Sequence, residues 1–199
     1  MFIDYVTLLL ANMTAGLLVL AWFYARGLGK EDTRSWAPPF AVTGLIAMAA
    51  GLHMCWTWPV PGPYNSLYGE MSVLFGAVYL AAALALGAGW SLRPTSIYAF
   101  VAGLAAILLG ARIIHLDLTQ MSLLSGLGFI LTGVGGVLLG FVLCVRQSAT
   151  LRTLAAVVVL AAAAVWALTA GMAYWMHAES FKAYNAPTPT TAPAPAAAQ

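Results

Sequence analysis

Charge is what this sequence has least of. Eight Lys and Arg and six Asp and Glu in 199 residues make it 7% charged, against 62% hydrophobic. Soluble domains carry roughly 25% charged residues, so a soluble globular domain is excluded. The net charge of +2 is small and scattered, which removes the basic patch that nucleic-acid binding requires. Cysteine is nearly absent, with two residues, and histidine numbers three. No HxxxH or CxxC spacing occurs, nor a phosphate-cradling glycine loop, nor a nucleophile beside a base. These absences point away from an enzyme and toward a protein without catalytic activity of its own.

Long runs of Ala, Leu, Val and Gly fill the chain instead. Spanning a bilayer takes about 20 mostly apolar residues, and six stretches qualify: 5–25, 38–58, 70–90, 96–117, 122–145 and 152–177. Pro38, Pro39 and Pro94 stand where helices start, positions at which a missing N–H costs little. The connections are short, so the expected fold is all-α: an integral membrane bundle of six transmembrane helices in up-and-down hairpins, over residues 1–178. Residues 179–199 read as a Pro/Ala/Thr-rich extracytoplasmic tail, disordered for want of anything to bury. MFIDYVTLLL has no basic residue before its apolar run, which reads as an uncleaved first helix and not a signal peptide.

Basic residues near helix ends set the orientation. Arg26, Lys30, Arg34, Arg93, Arg146 and Arg152 fall in the first, third and fifth connections, while Arg112 and Lys182 lie on the other side. That bias places the odd connections in the cytoplasm and both termini outside the cell membrane. Cys55 and Cys144 then sit about a membrane thickness apart, so no disulfide joins them. The lipid bilayer is the first partner implied. Gly128, Thr132, Gly136 and Gly140 recur at every fourth position of the fifth segment, a stripe that lets another helix approach closely. It serves either packing inside the bundle or a homo- or hetero-oligomer interface.

The chemistry gathers in residues 51–76, GLHMCWTWPVPGPYNSLYGEMSVLFG. This polar, aromatic, proline-stiffened loop between apolar helices holds His53, Cys55 and Glu70. His53, His115 and His177 are evenly spaced, each at the outer end of an even-numbered helix. GLIAMAAG (44–51) resembles GLAAILLG (103–110), as if helices 2 and 4 share one unit. Arg112 lies about five residues inside the fourth segment, where an intramembrane charge defaults to a functional hypothesis. Glu70 and Asp117 are its expected charge partners, either for function or merely to lock helices together.

His53 and His115, at one level on two helices, suit the axial positions of haem b. Three histidines, or two with Glu70, suit zinc or copper, and Met54, Cys55 and Met176 favour copper as soft ligands. The plainer alternative for each histidine is an interfacial hydrogen bond, and for Trp56, Trp58, Tyr64, Tyr68, Tyr174 and Trp175 an aromatic belt.

The 51–76 window, with WAPPF at 36–40, YAFVAGLAAILLGARIIHLDLT at 98–119 and GLGFILTGVGGVL at 126–138, resembles a family of small bacterial and archaeal membrane proteins. That family is known only as a domain of unknown function. The resemblance covers nearly the whole chain before the tail and implies a six-helix membrane topology, with no activity or cofactor to carry over. Three functions therefore stand open. One is a metal- or haem-holding accessory subunit of a membrane redox complex, another a structural or assembly subunit without cofactor. The third is a small-molecule transporter, against which stands the lack of ionisable residues at the bilayer midplane.

Overall fold

The computed structural model describes residues 4–144 and 148–180. α1 (Tyr5–Trp22) runs on into a π-helical turn, Phe23–Gly27. A 3₁₀ turn, Arg34–Trp36, leads into α2 (Ala37–Thr57), and a second π turn, Asn65–Glu70, into α3 (Met71–Ala88). α4 (Arg93–Leu116), α5 (Ser122–Cys144) and α6 (Ala149–Ser180) follow among the described residues. All six helices are long and apolar enough to cross a membrane, and no strand occurs among the described residues. The molecule is an all-helical, multi-pass membrane protein. Of the tail expected at 179–199, Glu179 and Ser180 continue α6; the rest of it, with Arg146 and Lys182, lies outside the described residues.

Local sequence accounts for most helix ends. Prolines occupy the first positions of α2 and α4, where no N–H is needed. Gly89 closes α3 at φ 73°. Asp117 closes α4 at φ 51°, a left-handed conformation that Asp tolerates better than most residues. The third span opens at Asn65 rather than at residue 70, because the π turn extends it and leaves Glu70 inside the helical run.

The helices form a ring in chain order, each against the next, with α6 returning onto α1. Closer and looser seams alternate around it: α2/α3, α4/α5 and α6/α1 pack more tightly than α1/α2, α3/α4 and α5/α6. Two of the close seams share one build. Gly44 and Gly51 meet Gly76 and Gly69, and Gly103 and Gly110 meet Gly133 and Gly126. A methyl group at Gly103 would lie 2.5 Å from the Gly133 carbonyl oxygen, and one at Gly110 2.6 Å from that of Gly126. Backbone therefore touches backbone, as small residues permit between membrane helices. The GLIAMAAG and GLAAILLG segments are the same pairing unit used twice, and the bundle is three helix pairs around a central axis. Parallel repeats about an axis along the membrane normal are one of the plans found in transport folds.

The small-residue stripe of α5 is filled from within. Trp166 of α6 lies against Gly128 and donates its indole N–H to Thr132 Oγ1 at 2.9 Å. Gly136 abuts Ala99 and Gly103 of α4, and Gly140 faces Ser96. The stripe packs inside the bundle, against α4 and α6. Asp4, His53, Glu70, His115, Asp117 and His177 lie at one end of the ring, called here the histidine end. Arg26, Lys30, Arg34, Arg93 and Arg152 lie at the other, the arginine end. There the Arg152 guanidinium donates to the Leu28 carbonyl at 2.8 Å, tying the start of α6 to the end of α1.

Candidate functional site

The ring encloses a narrow axis whose lining begins in the proline-rich loop. Asn65 is fully buried; its side chain accepts from the Val60 amide at 3.2 Å and donates to the Val60 carbonyl. That clasp closes the PVPGP loop and fixes the π turn after it. The turn directs Tyr68 inward, where its hydroxyl donates to Ser125 Oγ at 3.2 Å. Its ring centroid lies 5.6 Å from that of Phe129 and 6.4 Å from that of Trp166, and Phe129 meets Trp166 edge-on at 5.1 Å. Edge-on aromatic pairs of this spacing hold a fixed geometry. A Cβ at Gly128 would sit 2.8 Å from the Trp166 ring, so only glycine lets the indole lie flat there.

Two cavities follow one another along this axis. The smaller, about 10 Å³, is nearer the histidine end, with Leu9, Leu10, Tyr68, Ser72 and Trp166 in its wall. The larger, about 90 Å³, reaches toward the arginine end between α1, α3, α4 and α5, with Phe40 of α2 in its wall. Met13, Met71 and Phe129 line both and form the partition. Neither lining contains Asp, Glu, Lys, Arg or His. In the larger cavity the Tyr79 and Tyr24 hydroxyls donate to the Gly16 and Gly135 carbonyls, at 2.7 and 3.4 Å.

The candidate residues from sequence lie at the histidine end, and the structure brings some of them together. His53 is exposed, shares a 2.9 Å hydrogen bond with the Tyr5 hydroxyl, and stacks on its ring at 5.1 Å. His177 pairs with Asp4 and lies 3.2 Å from Thr7 Oγ1. Two histidines are thus gathered on the first turn of α1. Partial burial pushes the Asp4 carboxyl up, but hydrogen bonds from the Thr7 side chain and amide, and from His177, outweigh it. The carboxyl is held below the ordinary carboxylate range.

His115 is exposed, as are Arg112, Glu70 and Asp117, and none of these four pairs with another among the described residues. Asp117 is engaged as the left-handed end of α4. Arg112 lies on the outward face of α4, four residues before its end. That is about 6 Å of helix, a depth from which a long side chain reaches the interface. Among the described residues no three His, Cys, Asp or Glu side chains gather so that they could hold a metal ion. Cys55 is a free thiol.

Phe129 and Trp166 escaped the sequence-based reading, and Tyr68, expected in an interfacial aromatic belt, is buried on the axis instead. One signal for them exists: Trp166 stands in AAAAVWALTAG, in the middle of a span, where an interfacial belt residue has no place.

Residues 1–180 match the family described as "Protein of unknown function (DUF981)". No curated protein matches the chain. Among solved structures, the fold is similar to the cryo-EM structure of the Helicobacter pylori urea channel in closed state, with a TM-score of 0.68 at 16% sequence identity. The likeness covers 86% of this chain and 98% of that one. At that identity it is a likeness of fold.

Proposed function

The chain belongs to the DUF981 family of unknown function, and on that footing we propose that it is a channel for small uncharged polar solutes, here in a closed state. The observation that carries the proposal is the pair of cavities inside the helix ring, which share Met13, Met71 and Phe129 as a common wall. A bundle built only for assembly would fill its axis with interlocking side chains. The lining sets the class of solute. It holds no ionisable acid or base, and burying an unpaired ion costs tens of kcal/mol in the Born limit. A neutral solute leaves far less hydration behind, so the lack of midplane charges suits this class. Ser72 and Thr95 offer hydroxyls along an otherwise apolar wall. The fold it shares with a urea channel supports the same class, since urea is small and uncharged. The basic residues at the arginine end support an orientation with that end in the cytoplasm and the histidine end outside.

The test is solute flux into liposomes carrying the purified protein, followed by light scattering under urea, formamide and glycerol gradients. Phe129→Ala and Met71→Ala should each raise urea flux several-fold over wild type, with sodium and chloride leak unchanged. Variants that remain folded yet leave every solute at the rate of empty liposomes would overturn the proposal.

A further inference from the structure

We propose that the larger cavity is a lipid acyl-chain site, entered from the bilayer through the seam between α3 and α4. The inference rests on the cavity and the seam; it concerns the closed state, since an acyl chain seated in the larger cavity blocks the proposed solute path. α3 and α4 follow one another through a short turn, yet theirs is the loosest seam in the ring. The cavity is partly open rather than enclosed. Lining residues that keep partial exposure concentrate on these two helices: Met71, Leu74, Phe75 and Val78 on α3, Thr95 and Ala102 on α4. The α3 set follows the spacing of a single helix face, so a continuous apolar edge runs along the opening.

The wall decides what enters. Water in a cavity needs two to four polar partners. Here the Tyr24 and Tyr79 hydroxyls are spent on carbonyls and Thr132 receives the Trp166 indole, which leaves the Thr95 hydroxyl as the one side-chain partner in the wall. Apolar cavities of about this size stay dry and take up small apolar groups. Opposite Phe75 and Tyr79, α4 presents Ala99, Ala102, Gly103 and Ala106, a shallow side that leaves room for a hydrocarbon chain. Both helices lie within membrane spans, so hydrocarbon is what faces the seam. A chain end filling the void recovers dispersion contacts that an empty cavity forfeits. At about 90 Å³ the cavity holds the end of one chain; the rest lies along the seam, with the headgroup in the interface.

Photolabelling tests this. The full chain is reconstituted in phosphatidylcholine liposomes containing a phosphatidylcholine with a diazirine near one acyl terminus. After irradiation, adducts are mapped by peptide mass spectrometry. Wild type should label the inner residues Tyr79 and Ala106 together with the outward Leu84, Val101 and Leu104. Ala102→Phe, which puts bulk into the seam, should abolish the inner adducts and keep the outward ones. Ala102→Leu, a milder change that guards against misfolding, should reduce the inner adducts. Adducts confined to outward residues would overturn the proposal, as would inner labelling that neither variant changes. Labelling is read without any flux measurement, so this proposal and the solute channel can fail separately.

Discussion

Asp4 caps α1 through the Thr7 amide at 3.0 Å and holds the His177 ring near the end of α6. One carboxylate thus fastens the first helix to the last, at the seam where the ring closes. Its pKa is depressed in the folded chain, so its contribution is present above the unfolded value of about 3.9. The contribution is lost as pH falls through the lower folded value. Asp4→Ala should lower the melting temperature at pH 6 to 7, on the scale of a lost N-cap, about 1 kcal/mol. The gap to wild type should begin to narrow below about pH 4, where the carboxyl of the unfolded chain takes up its proton, and shrink further as pH falls through the folded value. Melting curves in detergent across that range check it, and a gap independent of pH would remove the charge from the account. Arg112 behaves otherwise: with an outward-facing position and no ion pair among the described residues, it has no buried partner for its loss to orphan.

The helix pairs are held by backbone contact, and their glycines are the sensitive positions. At Gly103 a methyl group meets the Gly133 carbonyl oxygen, whereas at Gly171 it meets nothing within 4 Å. Overpacking a close interface costs about 1–3 kcal/mol. Gly103→Ala should therefore lower thermal stability in detergent, while Gly171→Ala, in an exposed helix interior, should leave it unchanged or raise it. Equal melting temperatures for the two variants would show that the α4/α5 seam yields without cost.

For the molecule as a whole, orientation decides which side of the membrane each end of the ring meets. A cysteine at Gln120, in the exposed loop at the histidine end, should react with an impermeant maleimide added to intact cells. One at Lys30, exposed at the arginine end, should react only after lysis. Both belong in a background lacking Cys55 and Cys144. Asn65, at the same end of the ring in the turn before α3, is no use for this, because it is fully buried against Val60. Reversed labelling would place the arginine end outside.

The sequence by itself determined the six spans, the all-helical class and the segregation of histidines from basic residues. Each follows from a local quantity: the length of an apolar run, a proline at a helix start, or the parity of a connection. It also held the repeated glycine spacing of 44–51 and 103–110, without saying which helix each glycine faced. What only the tertiary structure decided is which faces meet across the ring. The Asp4–His177 contact joins residues 173 positions apart, and no local pattern encodes such a pairing. The cavities arise in the same way, from Met13, Met71, Phe129 and Trp166 on four helices. Each of those residues reads as ordinary core in its own segment. An axis is created only when the ring closes and the side chains fall short of filling it, and that shortfall is a property of the assembled volume, not of any one helix.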